Sequence, residues 1–296
     1  MVTQIPTPSP PLPVPDLGHL AVERFRSHEH APALLFAHGF GQTRAAWARA
    51  ATHLAAQGFA GTSFDARGHG ESQWNAAEQT YSIEQFVDDL SHLAGAHAAP
   101  PVLVGASMGG LLGMYAQGHR TPPPFSALVL VDITPRWEAT GVERILGFMS
   151  AHPQGFESLE HAADEIAAYL PHRARKSSDD LGKILVQRPD GRWRWHWDPR
   201  LIETIGRNGE QHQSLLMEAA QRIEVPTLLI SGGRSDLVND EHIAEFLGLV
   251  PHARHIRLPE ATHMVVGDDN DAFTRTILDF LVTLPAGNAP SAGEQP

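Results

Sequence analysis

A small set of residues in this chain could together open an acyl compound. Ser107 lies in Gly105-Ala106-Ser107-Met108-Gly109, a G-x-S-x-G pattern that follows the apolar run Pro101-Val102-Leu103-Val104. A serine hydroxyl at its ordinary pKa is a poor nucleophile and needs a neighbouring imidazole to take its proton. A carboxylate must then hold that imidazole in one tautomer and stabilise its charged form. His263 follows the strand-like run His255-Ile256-Arg257-Leu258 and its turn, and Asp236 follows Leu228-Leu229-Ile230-Ser231 and a Gly232-Gly233 turn. We assign Ser107 as nucleophile, His263 as base and Asp236 as the acid. Asp132, at the end of Leu128-Val129-Leu130-Val131, is the rival acid; its plainer role is to turn the chain at Asp132-Ile133-Thr134-Pro135. The developing oxyanion needs amide donors. His38-Gly39-Phe40-Gly41, a glycine-rich turn after Leu34-Leu35-Phe36-Ala37, offers the Phe40 N–H, and the residue after the nucleophile offers the Met108 N–H.

These residues need a scaffold that brings distant turns to one edge. The pentapeptide alone is weak, since on the order of one chain in ten of this length would carry it by chance. Its value comes from its setting. Apolar runs at 33–37, 61–64, 102–105, 127–132, 227–231 and 255–258 read as strands, with an earlier hairpin over 17–26. Helical patterns at 45–57, 83–96, 108–118, 240–249 and 270–281 alternate with them. Runs such as Val102-Leu103-Val104 are apolar on both faces, as befits strands covered by helices on both sides. The pattern predicts a doubly wound α/β fold with a mostly parallel, eight-stranded-type sheet. Ser107, Asp236 and His263 then all fall just past strand ends. The alternation breaks over 135–222, where helical patterns at 142–151, 159–170 and 202–222 surround Gly191-Arg192-Trp193-Arg194-Trp195-His196-Trp197. An insertion leaving a strand's carboxyl end sits over the ligand crevice, so we read 135–222 as a mainly helical cap. The core is expected over 16–134 and 223–284. Residues 1–15, with six prolines, and 285–296 read as a disordered tail and a flexible tail.

Composition removes several alternatives. The 296 residues are 42% hydrophobic and 19% charged, as in an ordinary folded enzyme. The net charge of −12 disfavours nucleic acid and anionic membrane as partners. With no cysteine, disulfides, thiolate nucleophiles and Cys-ligated metals are excluded. There are 18 histidines but no His-Glu-x-x-His, and His28-Glu29-His30 reads as a solvated or structural cluster. We expect no metal and no cofactor. Met1–Pro6 has neither a basic nor an apolar signal region, and no stretch approaches a membrane span, so the expected location is cytoplasmic. Oligomeric state is not legible.

Gly105-Ala106-Ser107-Met108-Gly109-Gly110 resembles the nucleophile elbow of the α/β-hydrolase superfamily, and His38-Gly39-Phe40 resembles its oxyanion turn. Asp65-Ala66-Arg67-Gly68-His69-Gly70-Glu71-Ser72 is similar to the family's Asp-x-Arg-Gly-x-Gly-x-Ser loop, whose role there is mainly structural. The segment from His263 to Phe273 looks like the catalytic-histidine region of small bacterial members labelled esterase, non-haem peroxidase or epoxide hydrolase, and 191–200 resembles their cap. The resemblance spans about 17–284 and implies the chain order nucleophile, acid, histidine. Two departures are visible. Epoxide hydrolases and haloalkane dehalogenases of this fold use an elbow aspartate where this chain has Ser107, and Glu260-Ala261-Thr262 replaces the commoner glycine-rich approach to the histidine.

The expected activity is a carboxylesterase-like hydrolysis through an acyl-serine. C–C bond hydrolysis or perhydrolysis by the same residues is the alternative, and a non-catalytic receptor the third reading. Trp137, Phe148 and Trp195, with Phe156, Trp193 and Trp197, suggest an apolar acyl or aromatic pocket, unless they only form the cap's own core.

Overall fold

The computed structural model describes residues 7–14, 18–25, 32–170, 175–182, 184–206, 209–268 and 270–285. His28-Glu29-His30 lies outside them. Eight strands form the central sheet: β1 (Thr7–Pro8), β2 (Val22–Phe25), β3 (Leu34–Ala37), β4 (Gly61–Phe64), β5 (Val102–Ala106), β6 (Ala127–Val131), β7 (Thr227–Gly232) and β8 (Arg254–Leu258). Their spatial order is β1-β2-β4-β3-β5-β6-β7-β8. The β1–β2 and β2–β4 pairs are antiparallel, and every later pair is parallel.

Side chains alternate across a strand, and here both faces are buried. Leu35, Leu103, Leu128, Leu130 and Leu229 enter one apolar cluster, while Leu34, Phe36, Val102, Val104, Val129, Val131, Leu228 and Ile230 enter the other. Helices cover both. They are α1 (Ala48–Ala56), α2 (Ile83–Gly95), α3 (Met108–His119), α4 (Ala139–Ser150), α5 (Leu159–Tyr169), α6 (Ser178–Leu181), α7 (Arg200–Gly206), α8 (Gly209–Gln221), α9 (Asp240–Leu249), α10 (Val265–Asp268) and α11 (Asn270–Leu281). Met114 of α3 and Phe246 of α9 pack on the first face, and Leu54 of α1 with Phe273 and Ile277 of α11 on the second. The start of α2 is set by a capping box in which Ser82 and Gln85 satisfy each other's backbone N–H.

Two expectations change. Residues 7–14 are not tail: Thr7–Pro8 forms the edge strand β1, and Leu12–Val14 pairs antiparallel with Gly18–Leu20, with Val14 buried. Proline is tolerated there because an edge strand has one side without ladder bonds. The single helix expected over 202–222 is two, α7 and α8. Between β6 and β7 the chain leaves the sheet to form α4 to α8 and a small hairpin, Leu185–Gln187 with Trp193–Trp195. No helix among the described residues is long and apolar enough to cross a membrane.

The loop after β4 is built as a brace. Asp65 accepts from the Arg44 and Glu71 backbone amides and pairs with the Arg44 guanidinium, while the Ser72 hydroxyl donates to the Asp65 carbonyl. Arg67 makes a two-pronged pair with Asp89 of α2, both bonds 2.6 Å and both side chains 3% exposed. Burial outweighs Arg67 and raises the Asp89 pKa above its ordinary value. The pair is therefore costly to assemble but more costly to break, because either partner alone is a buried unpaired charge. Asp89→Ala should lower unfolding stability by about 3–5 kcal/mol, read from urea titration. Arg67→Met with Asp89→Leu should lose much less.

Candidate active site

Ser107 is where β5 stops and α3 begins. Its backbone lies at φ 47°, ψ −117°, a conformation that costs a residue with a side chain of order 1–3 kcal/mol. Hydrogen bonds hold it there: the Ser107 N–H donates to the Val131 carbonyl at 3.1 Å, and the Ser107 carbonyl accepts from the Leu111 N–H at 3.0 Å. The hydroxyl makes no helix-capping bond. Close approach of α3 to β3 requires Gly109, since a Cβ there would lie 2.3 Å from the Ala37 carbonyl oxygen. The first amides of α3, Met108 among them, have no partner within the helix, as at any helix start.

Among the described non-glycine residues only Ser107 and Asp132 have positive φ, at 47° and 49°. Ala106 and Val131 are paired across β5 and β6, so these two strained residues are neighbours at the sheet's carboxyl edge. Asp132 is fully buried. Its Oδ1 accepts from the Gly232 N–H at 2.8 Å; its Oδ2 accepts from the Ser235 hydroxyl at 2.5 Å and faces His263 Nδ1 at 2.8 Å. A carboxylate oxygen accepts, so the bond is donated by His263 Nδ1–H, and Nε2 is the ring nitrogen that Asp132 does not engage.

The assignment of Asp236 as the acid is therefore corrected: the carboxylate against His263 is Asp132. Asp236 stands four residues past the end of β7, is a third exposed, and pairs with Arg144 of α4. Both aspartates follow apolar strands, and the chain order of nucleophile, acid and histidine holds for either. The strand end itself, one strand away from Ser107, wins because the fold returns the His263 loop to it.

The turn after β3 is held on every side. The Gln42 N–H closes it on the Gly39 carbonyl, and the Gln42 side chain accepts from the Gly39 N–H. The Gly41 N–H donates to His69 Nε2 at 3.3 Å. Phe40 is the amide of the turn that none of these bonds uses. Gly41 has φ 73°, and a Cβ there would also lie 2.2 Å from Met149 Cε of α4. His38 Nε2 accepts from the Ala66 N–H at 2.9 Å, which leaves Nδ1–H to donate to the Gly39 carbonyl at 2.8 Å. His196, from the inserted segment, accepts from the Gly70 N–H at Nδ1 (2.8 Å) and donates from Nε2 to the Gly41 carbonyl at 3.2 Å. Sequence reasoning missed His69 and His196 in this setting; nothing local in the chain marks them.

Ser107 and His263 line a cavity of about 660 Å³ together with Phe40, Gly41 and Ala106. Its other wall comes from the inserted segment, with Ile145, Phe148, Met149, Ile166, Leu170 and Trp195. Of the expected pocket aromatics, Phe148 and Trp195 line it. Trp137 is not among its described lining residues and packs against the main core instead. Phe156 is fully buried inside the insertion against Trp195, and Trp197 packs on the Phe40 ring at 5.0 Å between centroids. Arg144, Lys176, Arg234 and Asp236 add charge to the same cavity. The Arg144 guanidinium also lies over Tyr169, which stacks on Phe148. No group of three or more potential ligands able to hold a metal occurs among the described residues.

Burial lowers the pKa of His38, His69 and His196, the last to about 4. A histidine whose folded pKa is depressed stabilises the fold fully above its unfolded value near 6.5, and this stability is lost as pH falls toward the folded value. Stability should therefore decline between about pH 6.5 and 4, with His196 contributing on the order of 3 kcal/mol. Urea midpoints across that range should fall with pH in the wild type and fall less in His196→Gln, which has no proton to gain.

Comparison with known proteins agrees with this geometry. The family model for the alpha/beta hydrolase fold matches residues 32–269. The esterase Rv0045c of Mycobacterium tuberculosis is 28% identical over 282 residues, covering 92% of this chain and 91% of its own. Its crystal structure superposes with a TM-score of 0.73 at 26% identity, covering 95% of this chain and 92% of that one. A 3-hydroxybutyrate-oligomer hydrolase of Cupriavidus necator is 28% identical over 211 residues, 67% of this chain and 71% of its own. The crystal structure of E-2-(acetamidomethylene)succinate hydrolase matches in fold, with a TM-score of 0.79 at 23% identity over 93% of this chain and 99% of that one. With the strand order, the strained serine between β5 and α3 and the matched span in agreement, this chain belongs to the alpha/beta hydrolase fold family and is a hydrolase.

Proposed function

We propose that the chain is a serine esterase of the carboxylesterase type. The observation that carries this reading is His263, held through Nδ1 by buried Asp132 and sharing one cavity with Ser107. In this scheme His263 Nε2 takes the Ser107 proton as Oγ attacks the ester carbonyl. The Phe40 and Met108 amides donate to the oxyanion. Collapse of the tetrahedral species breaks the ester C–O bond, and His263 returns the proton to the departing alkoxide. Water then attacks the acyl-serine by the same route, releasing the acid and restoring the Ser107 hydroxyl. Asp132 keeps the imidazole in the Nδ1–H tautomer and stabilises the imidazolium without taking a proton itself.

Ile145, Phe148, Met149, Ile166, Leu170 and Trp195 would receive a small or medium apolar acyl group, with the insertion acting as a cap. Two relatives carry ester-cleaving names, an esterase and a 3-hydroxybutyrate-oligomer hydrolase, so p-nitrophenyl esters and short 3-hydroxybutyrate oligomers are the first substrates to try.

A fluorophosphonate should label the wild type and not Ser107→Ala. No labelling of the wild type overturns the reading. Asp132→Asn should lower kcat roughly 10⁴-fold, as loss of the orienting carboxylate does in serine proteases, while Asp236→Asn stays within a few-fold of wild type. The reverse pattern would return the acid's role to Asp236.

A further inference from the structure

Three imidazoles surround the turn that carries Phe40. The His38 and His69 rings are 5.2 Å apart, and those of His69 and His196 are 6.1 Å apart. All three are buried. His38 and His69 come from the core beside the turn. His196 comes from the cap, just after the strand Trp193–Trp195.

The bonds fix what each ring does. His69 Nε2 accepts from the Gly41 N–H, and His196 Nε2 donates to the Gly41 carbonyl. The residue after Phe40 is thus gripped on both of its backbone groups, once by the core and once by the cap. A second cap contact reinforces the grip, since Met149 leaves no room for a side chain at position 41. Trp197 packs on the Phe40 ring. Behind His196 the cap is stitched to the core: the Asp198 N–H donates to the Gly68 carbonyl at 2.8 Å, the Tyr81 hydroxyl donates to Asp198, and Arg200 reaches the carbonyls of Asn75 and Ala76.

We propose that His196 is a positioning residue: it fixes the Gly41 peptide and through it the aim of the Phe40 amide, so that the oxyanion donor is fully set only when the cap is seated. The inference rests on the esterase reading above. An amide hydrogen bond to the oxyanion matters most in the transition state, and a donor loosened in direction loses part of an effect worth 10²- to 10³-fold in kcat when removed outright. The cap therefore supplies part of the reaction's geometry as well as the wall of the acyl pocket.

Two amide substitutions separate the bonds. His196→Gln places an N–H donor near the Nε2 position and can keep the Gly41 bond. His196→Asn reaches only as far as Nδ1, keeps an acceptor for Gly70 and drops the Gly41 bond. Each protein is counted by its endpoint of fluorophosphonate-labelled sites, so that misfolded material does not enter the rates. Using a short p-nitrophenyl ester, His196→Asn should lose about 10- to 100-fold in kcat per labelled site with KM within about threefold. A trifluoromethyl ketone, which forms an oxyanionic adduct with the serine, should weaken by the same factor. His196→Gln should stay within about threefold of wild type in both. Equal rates per site in His196→Asn and wild type, equal losses in the two variants, or a kcat loss with unchanged ketone affinity would each overturn the proposal. Failure of both variants to give labelled sites would make His196 a folding element and overturn it too. If the wild type itself does not label, the esterase reading fails and takes this one with it.

Discussion

A carboxylate withdrawn from water must be given donors, and Asp132 receives three. They come from the end of β7, from the turn after it and from the loop after β8. An unpaired charge at a fully buried position would cost several kcal/mol, so this one side chain dictates where those three pieces of chain lie. The Gly232 amide, the Ser235 hydroxyl and the His263 ring cannot drift apart without stranding it. The Ser235 hydroxyl in turn accepts from the Leu237 and Val238 amides, which carries the order into the segment leading to α9.

The same edge of the sheet stores backbone strain. Ser107 and Asp132 both sit at positive φ, on adjacent strands whose last residues are paired. Each such conformation persists only where the surroundings over-determine it. Here they do: the Ser107 N–H is tied to Val131, and the Asp132 N–H donates to the Ile230 carbonyl at 2.7 Å. The strain and the sheet ladder are coupled, so the serine is presented from the end of a buried strand.

The opposite side of the cavity follows a different logic. There a glycine-rich turn is held by neutral imidazoles that each accept one backbone N–H and donate to one backbone carbonyl. An imidazole can do both only while uncharged, and burial keeps these rings in that form by lowering their pKa. Buried in this way, the three histidines serve as architecture. The insertion joins the arrangement through aromatic and histidine side chains, not through its helices alone.

How much of this is legible in the sequence depends on how far apart the partners lie along the chain. The strands, the serine in its strand-to-helix turn, the glycine turn with Phe40 and the histidine after β8 are written in local patterns: apolar runs, glycines at turns and proximity to strand ends. Each needs only neighbours within about ten residues to be recognised. The short strands within 7–14 were missed because proline-rich composition hides edge pairing. Trp137 was misplaced because an aromatic in an amphipathic stretch does not reveal which face it turns to the cavity. The carboxylate that meets His263 could not be chosen locally either. Asp132 and Asp236 have the same kind of setting, and the difference is a contact with His263 across 131 residues. His196 meets Gly70 and Gly41 across 126 and 155 residues. The sequence by itself determined the layered α/β architecture, the serine in its strand-to-helix turn and the histidine after β8, because short-range periodicity and turn chemistry encode them. Only the tertiary structure decided which carboxylate faces His263 and what holds the turn that carries Phe40. Those answers depend on loops from separate strands and an insertion converging on one edge, where burial forces each polar group to find a partner.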